Sequence, residues 1–519
     1  MVGFESLLTV LLVAVVLAAI ARRVGAPYPA FLALGGAVLA FLPGAPRFSI
    51  DPDVALALFV APVLLDAAYD ASPRDLRDNW VAIASLAVVS VLLTTAAVAV
   101  VVRALVPAMP WAAAITLGAI VSPPDAAAAT AVLRQLRPPH RILTILEGES
   151  LLNDATALLI YRLAVGAVAM NSFSVAALGP TLLLVVIGSL VAGPTLAWLF
   201  LRLTRGVRDA PTAVILQFIG TFGVWILADR LGLSNVLTMV AFAVTVARSA
   251  PERTPARIRV PTYAVWDTAV FLLNVLAFVF IGLQLRPIVS GLEAGMRSRY
   301  FVVAGVVLLT VILVRFAWVM THNTIARWHI RRFGFHPRRP IDPPTLGSGV
   351  VISWSGMRGI ITLAAALALP EADGTGGFPF RDLIVLTAFG VVVGTLVIQG
   401  LTLRRLIRAL HLRDDDPVGR ETDAARRRAL DAALAAIDDE KSPAAAAVRQ
   451  EFEAHLGHGA RATAAHDAVS AHEEIHRRAL AAARRVVFDM RAKDDIGDDA
   501  SHRLEEEFDW IEMGIGAPE

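Results

Sequence analysis

The sequence reads EGESLLND from Glu147 to Asp154. This segment lies between two apolar runs, 142–146 and 155–170, and it is typical of the first turns of a membrane-spanning helix. A charged side chain at the centre of a bilayer costs roughly 2.5–3.5 kcal/mol on insertion scales. Three carboxylates at that depth are expensive unless they bind something, so the sequence predicts an intramembrane ion or proton site.

The composition indicates an all-α polytopic membrane protein. Of the 519 residues, 56% are hydrophobic, compared with about 45–50% in ordinary soluble domains. Since the chain has no cysteine, it can form neither a disulfide framework nor a thiolate metal site. The apolar runs predict thirteen spans, at approximately 4–21, 28–43, 54–71, 80–102, 111–133, 142–170, 174–201, 211–228, 234–247, 262–285, 300–322, 348–369 and 382–403.

The orientation in the membrane follows from the arginine content of the loops. Alternate loops hold nineteen arginines, beginning with Arg22 and Arg23, whereas the loops between them hold seven. Because basic loops stay in the cytoplasm, we expect the N-terminus outside, the C-terminus in the cytoplasm and the protein in the plasma membrane. The first positive charges follow the first apolar run, which predicts a retained helix rather than a cleaved signal peptide.

The composition changes sharply near the end of the last span. We therefore expect a transmembrane domain at 1–404 and a charged, mostly helical cytoplasmic tail at 405–519. Residues 413–519 carry 25 acidic and 15 basic side chains, and the patterns at 421–440 and 461–495 are typical of amphipathic helices. The tail is either a solvated helical hairpin or a regulatory element, since it holds six of the eleven histidines, which titrate near neutral pH.

The fifth span is interrupted at Ser122, Pro123, Pro124 and Asp125. Two consecutive prolines remove two backbone donors and leave carbonyl oxygens without helical partners. In lipid, such a break is tolerated only where it lines a cavity or is buried in protein. A simple proline kink is the alternative interpretation. The carboxylate directly after the break favours a cation site instead.

The spacing within the sixth span places its polar residues on two adjacent stripes of one helix. Ser150 and Asp154 are four residues apart on one stripe, and Glu149 and Asn153 are four apart on the next. One stripe would bind the ion while the other supports the structure. The alternative is that these residues cap the helix at the membrane surface, which fits Glu147 best.

The twelfth span carries Arg358 between Gly356 and Gly359. An arginine at this depth needs a partner, and an intramembrane carboxylate is the obvious one. If spans 1–6 and 8–13 are inverted halves, the interrupted fifth and twelfth spans occupy equivalent positions, which is a typical arrangement of a transporter's substrate site. Three further intramembrane polar residues are weaker signals, namely Asp66, Asn274 and Arg315, of which the last has no evident partner.

Several classes of machinery lack a sequence signal. The chain has no P-loop, so no ATP-driven step is indicated, and it has no histidine pair at metalloprotease spacing. We expect no enzymatic activity, no cofactor and no nucleic-acid partner.

These motifs together resemble the NhaP-like and NHE-like sodium/proton exchangers of the monovalent cation:proton antiporter superfamily. The resemblance covers residues 4–404 and is most specific in the ESLLND string at 149–154. The other matching segments are GAPYP at 25–29, APVLLD at 61–66, GAIVSPPD at 118–125, FLLNVLAFVFIGLQL at 271–285 and GMRG at 356–359.

The resemblance implies an NhaA-like antiporter fold and a homodimer, in which a helical interface domain holds a mobile six-helix core. It implies that Asp154 holds the transported ion, with help from Ser150, Asp125 and Asn153. It also implies a buried ion pair between Glu149 and Arg358. Many members have Thr-Asp-Pro in the broken span, whereas this chain has Pro124-Asp125-Ala126, which leaves the Pro124 backbone carbonyl in place of the threonine ligand.

The favoured hypothesis is antiport, in which a monovalent cation and a proton compete for Asp154. Na⁺ is the favoured cation, with Li⁺ and K⁺ as alternatives, and the expected role is pH homeostasis. Asn153 stands where electrogenic relatives have a second aspartate, which predicts one proton per cation. A cation channel is the alternative; it would need a continuous pore and flux without coupling to a pH gradient.

Overall fold

The structure is a computed structural model that describes residues 2–24, 27–42, 51–133, 136, 138–170, 175–253, 256–290, 294–334, 343–371 and 377–412, with short stretches of the tail at 420, 431–443, 445–446, 449–450 and 485–486. These residues contain helices and no strand, which confirms the predicted all-α class.

The helices are numbered here in chain order. They are α1 (Val2–Val24), α2 (Tyr28–Ala40), α3 (Pro52–Asp70), α4 (Pro73–Asp78), α5 (Trp80–Ala84), α6 (Val91–Leu105), α7 (Trp111–Val121), α8 (Ala126–Leu133), α9 (His140–Met170), α10 (Val175–Leu203), α11 (Ala210–Arg230), α12 (Asn235–Arg253), α13 (Ala256–Leu283), α14 (Leu285–Ser290), α15 (Ala294–Phe333), α16 (Leu346–Trp354), α17 (Ile360–Leu367), α18 (Arg381–Thr395) and α19 (Leu401–Leu410). Two π-helical segments, Ser85–Ser90 and Leu396–Gly400, join α5 to α6 and α18 to α19.

A helix or a pair of half-helices lies at each of the thirteen predicted spans. Eight of the described helices are long and apolar enough to cross a membrane, and α2, α7 and α12 are shorter apolar helices. The remaining two spans correspond to α1 and to the pair α16 and α17. The interruptions predicted in the fifth and twelfth spans separate α7 from α8 and α16 from α17.

Local sequence explains where several helices begin. The Asp51 carboxylate accepts the backbone N–H groups of Asp53 and Val54, and Thr345 forms a capping box with Ser348. At the start of α11, hydrogen bonds from the Thr212 side chain and backbone lower the pKa of Asp209. These caps satisfy N–H groups that have no partner within the helix, and they lie at the ends of spans, where the chain changes direction.

The helix contacts repeat with a shift of seven spans. Helix α2 packs on α13 and α3 packs on α12, which pairs span 2 with span 10 and span 3 with span 9. Likewise α6 packs on α7 and α7 on α9, as α15 packs on α16 and α17 on α18. Because seven crossings is an odd number, the two six-span halves run in opposite directions through the membrane. This pattern is that of an inverted repeat.

The interrupted spans meet at their breaks. The backbone N–H of Asp125, between α7 and α8, donates to the carbonyl of Met357, between α16 and α17, at 2.7 Å. Each break therefore supplies a hydrogen-bond partner to the other, and we call this point the crossing. The crossing is packed by α9, α15 and α18, which contact its half-helices.

The contacts divide the chain into two units, Met1–Asp415 and Asp416–Glu519. Helix α19 belongs to the first unit and extends past the predicted domain boundary at 404/405, which stays a prediction. In the second unit, residues 431–435 are helical within the predicted helix 421–440. The predicted helix at 461–495 lies outside the described residues, apart from 485–486.

Two glycines allow α2 and α13 to approach each other closely. A Cβ atom built at Gly282 would lie 2.2 Å from the Ala33 carbonyl oxygen, and one built at Gly36 would lie 2.4 Å from the Val279 carbonyl oxygen. Both obstacles are backbone atoms, which cannot move aside without moving a helix. The glycines therefore set the distance between these two helices.

We expect Gly282→Ala to destabilise the protein by roughly 1–3 kcal/mol, the usual cost of forcing extra volume into a packed site. Thermal unfolding in detergent measures this as a lower melting temperature. Gly305→Ala on α15 is the matched control, since no atom lies within 4 Å of its Cβ position. The control is expected to be neutral or stabilising by up to about 1 kcal/mol through helix propensity. Equal melting temperatures for both variants would contradict the close-approach argument.

Candidate ion site at the crossing

Arg358 neutralises the C-terminal ends of helices at the crossing. Its Nε donates to the Val121 carbonyl at 3.0 Å and its Nη2 donates to the Ser122 carbonyl at 3.1 Å, both at the end of α7. Its Nη1 donates to the Gly356 carbonyl, just beyond the end of α16. Carbonyls at a helix C-terminus lack helical partners and carry partial negative charge. A buried guanidinium group suits that position.

Asp125 lies at the N-terminal ends of the opposite half-helices. Its Oδ1 accepts the backbone N–H of Ala127 at 2.9 Å, so the side chain caps α8. Its Oδ2 packs against Gly359, the residue that precedes α17, where a Cβ atom would lie only 1.6 Å away. Helix N-termini carry partial positive charge, which stabilises a carboxylate. The double-proline break thus positions an acid between two helix N-termini.

Glu149 forms a bidentate ion pair with Arg315 rather than with Arg358. Arg315 on α15 donates from Nη1 to Oε1 at 2.6 Å and from Nη2 to Oε2 at 2.9 Å, and both side chains are buried. The predicted partner of Glu149 was therefore wrong, because the described bonds of the Arg358 side chain go to carbonyls at the crossing. Gly356 makes room for the pair, since a Cβ atom there would lie 2.3 Å from Cδ of Arg315.

Asn153 connects α9 to the double-proline break. Its Nδ2 donates to the Pro124 carbonyl at 2.7 Å, and the side chain is fully buried. Its Oδ1 has no hydrogen-bond partner among the described residues. The Pro124 carbonyl oxygen keeps a second lone pair after accepting this bond. It and the Asn153 Oδ1 therefore both remain available as neutral oxygen ligands.

Asp154 is the acid of this cluster that has no fixed partner. The side chain is 5% exposed, and its carboxylate accepts no hydrogen bond from the described residues. The carboxylates of Asp125 and Glu149 lie close enough to act on it electrostatically. A buried carboxylate in this position is stable only when a proton or a cation neutralises it. Ser150, one turn earlier on α9, is partly buried.

Two cavities approach Asp154 along α9 from opposite ends of the bundle. We call the end that carries the arginine-rich loops the basic end. A cavity of about 780 Å³ contacts α9 at Leu158 and beyond, four residues after Asp154 and away from the basic end. A cavity of about 220 Å³ at the basic end contacts α9 at Ile145 and residues before it. Residues 146–157 of α9, which include Asp154, line neither of these two cavities.

The two accessory residues predicted from the sequence lie on other helices. Asp66 on α3 lines a separate cavity of about 100 Å³ with Tyr69, Gln217 and Tyr263, residues of α3, α11 and α13. Asn274 is partly exposed on α13. Neither residue is brought to Asp154 by a described contact.

The sequence did not reveal which residue pairs with Glu149, nor which residues leave room for the buried side chains at the crossing. In the sequence alone Arg315 is an intramembrane charge without an evident partner. An arginine in one span and a carboxylate in another are the signal that could have found this ion pair. The spacing roles of Gly356 and Gly359 had no such signal, because they depend on side chains from α15 and from the break after α7.

The comparisons with known proteins agree with this geometry. The sequence profile of the family described as sodium/hydrogen exchanger, transmembrane, matches residues 8–409. The chain belongs to this family.

Relatives of the exchanger family are similar over most of their length. An uncharacterised Na⁺/H⁺ exchanger of Mycobacterium tuberculosis is 34% identical over 80% of this chain and 76% of its own. The sodium, potassium, lithium and rubidium/H⁺ antiporter of Bacillus subtilis is 28% identical over 95% of this chain and 75% of its own. This is a transporter family and not an enzyme family.

A solved structure supports the exchanger fold. The sodium proton antiporter MjNhaP1 from Methanocaldococcus jannaschii matches with a TM-score of 0.59 and 17% identity, over 79% of this chain and 99% of its own. At this identity the likeness shows the fold alone, and it confirms the predicted antiporter architecture.

The ion pair of Glu149 with Arg315 makes a testable prediction for this exchanger. Arg315→Met should destabilise the protein by roughly 3–5 kcal/mol, because it leaves a buried carboxylate without its counter-charge. Adding Glu149→Gln should recover much of the loss in melting temperature. The matched control is Glu149→Gln combined with Arg358→Met, in which no such recovery is expected. If Glu149→Gln instead recovered the stability lost in Arg358→Met, the partner of Glu149 would be Arg358 and not Arg315.

Proposed function

We propose that the protein is a secondary antiporter that exchanges a monovalent cation for H⁺ across the plasma membrane, with a role in pH homeostasis. The observation that supports this is the state of Asp154, a buried carboxylate that the described residues leave without a compensating partner. It must be neutralised by something that comes from outside the protein. A proton and a monovalent cation both serve, and a carboxylate holding one has reduced affinity for the other.

The charges around the crossing support a one-for-one exchange. The cluster contains three acids, Asp125, Glu149 and Asp154, and two bases, Arg315 and Arg358. When all are ionised the net charge is one negative, so a single monovalent cation or a single proton makes the cluster neutral. Since moving a charged core through a low-dielectric layer is costly, the neutral forms are the ones that cross. Asn153, a neutral residue beside Asp154, adds no second proton.

The cation would be held by oxygen atoms that meet at the crossing. Asp154 and Asp125 supply carboxylate oxygens, and the Asn153 Oδ1 and the Pro124 carbonyl supply neutral ones, with Ser150 close on the same helix. Hard oxygen ligands suit small alkali cations. We propose Na⁺ as the main substrate, with Li⁺ and K⁺ as alternatives, since the named Bacillus subtilis relative is an antiporter of several alkali cations.

The cavities suggest how the site changes sides. Asp154 is about 6 Å along α9 from the larger cavity and about 13 Å from the smaller one, at 1.5 Å per residue. A shift of the half-helices and α9 against α3, α11 and α12 would close one cavity and widen the other. We place the basic end in the cytoplasm and the N-terminus outside.

We extend the proposal to a homodimer, as the family resemblance implies. Helix α10 exposes large apolar side chains, including Leu184, Val191 and Trp198, which can face lipid or a second copy. Cross-linking of single cysteines placed on α10 of this cysteine-free chain distinguishes these two surroundings.

A cation channel is the competing function. The two cavities contact α9 on either side of residues 146–157, and Asp154 lines neither of them, so these cavities give no support for a continuous pore. Flux measured in liposomes decides between the two: an antiporter moves cations only in exchange for protons, whereas a channel moves them down their own gradient without a pH change.

Asp154→Asn is expected to abolish exchange while the protein remains folded. The amide cannot ionise, so it neither releases a proton nor attracts a cation. Everted vesicles loaded with protons and a pH-sensitive dye report exchange on addition of Na⁺, Li⁺ or K⁺.

Asp209→Asn is the matched control for this prediction. Asp209 is an exposed cap of α11, and asparagine caps a helix about as well, so this variant should exchange at the rate of the natural protein. Exchange by Asp154→Asn at a normal rate would refute the assignment.

Gly359→Ala tests the part played by Asp125. The new methyl group would displace the whole Asp125 side chain, since its Cβ would lie 2.9 Å and its Oδ2 1.6 Å from the added atom. We expect the apparent KM for the cation to rise by at least roughly tenfold, or about 1.4 kcal/mol. Gly305→Ala provides the comparison variant in the same vesicle assay. An unchanged KM would mean that Asp125 does not contribute to cation binding.

A further inference from the structure

Gln399 is a buried amide that neither the fold nor the site described above uses. Its side chain is fully buried, and neither Oε1 nor Nε2 has a hydrogen-bond partner among the described residues. Burying a polar group without a hydrogen-bond partner is energetically unfavourable. The residue lies in the π-helical segment Leu396–Gly400, and π-helical insertions occur frequently at functional sites.

The helical register directs Gln399 towards the break between α16 and α17. One turn earlier, Thr395 Oγ1 accepts the backbone N–H of Arg358 at 3.0 Å. Three residues later, Thr402 Oγ1 accepts the indole N–H of Trp354 at 2.8 Å. Gln399 lies between these two contacts on the same side of the helix, and therefore at the level of residues 355–357.

A second unpartnered polar atom lies at this same level. Ser355 is 1% exposed, and its Oγ has no hydrogen-bond partner among the described residues. Met357 lies beside the π-helical segment, with its sulfur 3.3 Å from the position of a Cβ at Gly400. Helix α19 contacts both α8 and α16 around this region, and all three helices lead from the crossing to the basic end.

Both residues carry neutral oxygens and neither carries a charge. An amide oxygen and a hydroxyl oxygen can replace part of the hydration shell of an alkali cation, and the amide N–H₂ can donate to water. Because they include no carboxylate, these two side chains would hold a cation only briefly. They therefore suit a point along the path of the cation rather than a binding site. Polar groups that lack protein partners are also the usual ligands of buried water.

We propose that Gln399 and Ser355 line a hydrated station, through which the cation passes between Asp154 and the basic end. This inference rests on the proposed antiport and adds two residues to it. In the station, water held by the two side chains solvates the cation after it leaves the carboxylates. Small cations depend on this most, because their dehydration costs the most.

The first test detects the water directly and needs no transport. Hydroxyl radicals generated by X-ray pulses label side chains next to bound water, and mass spectrometry reads the label on methionines. Met357 is 1% exposed, and the buried Met239 and Met109, both 0% exposed, are controls within the same chain. We expect Met357 in the full-length protein to label several-fold faster than both controls, and Gln399→Leu to bring it down to their rate.

The second test measures exchange with each cation. Gln399→Leu should lower the rate about tenfold for Li⁺ and Na⁺, the effect of roughly 1.4 kcal/mol on a barrier, and less for K⁺ and Rb⁺. Ser355→Ala should shift the order of cations in the same direction. Gln399→Asn keeps an amide and leaves room for one more water, so it should retain the natural order.

Thr238→Val is the control for removing an unpartnered buried polar group elsewhere. The Thr238 hydroxyl is fully buried on α12 and has no hydrogen-bond partner among the described residues. Valine has nearly the same shape, so this variant should leave both the rates and the order of cations unchanged.

Two results would overturn the inference. One is labelling of Met357 as slow as that of Met239 in the natural sequence, which would mean that no water is held there. The other is a loss in Gln399→Leu that is equal for all four cations and accompanied by a lower melting temperature, which would indicate a purely structural residue. If the natural protein exchanges no cation at all, the proposed function fails, and the cation step of this inference fails with it.

Discussion

Every charge buried at the crossing needs a compensating charge close by, and the rest of the structure follows from this requirement. Arg358 lies among carbonyls at the C-terminal ends of α7 and α16, and Asp125 lies at the N-terminal ends of α8 and α17. Glu149 is held by Arg315 in a bidentate pair. Once the charges of Arg358, Asp125 and Glu149 are compensated, one acid of the cluster remains, which is Asp154.

The interruption of two helices is what makes this compensation possible. A continuous helix hides its backbone groups, whereas a broken one exposes two ends of opposite partial charge within the membrane. The inverted repeat brings two such breaks together, so that the N–H of Asp125 meets the carbonyl of Met357. Gly356 and Gly359 remove the side chains that would obstruct Arg315 and Asp125. The fold therefore holds the compensated charges at the crossing in fixed positions, and Asp154 is the one group whose charge changes.

The sequence was sufficient to predict features that depend on neighbours along the chain. The thirteen spans, the double-proline break and the face shared by Ser150 and Asp154 all follow from local hydropathy and helical period. The partner of Glu149 could not be predicted in this way, because Arg315 lies 166 residues further along the chain and its choice depends on how α15 packs. The same limit applies to Gln399, whose burial without partners appears only after α16, α18 and α19 are assembled.

The central claim is that Asp154 holds either a cation or a proton, and that these two states alone are neutral. It is tested most directly by the number of protons released when a cation binds to the purified protein. In weakly buffered detergent solution, at a pH where the free site is protonated, added Na⁺ should release one H⁺ per cation bound, and Asp154→Asn should release none. Binding without proton release, or equal release from Asp154→Asn, would contradict this account.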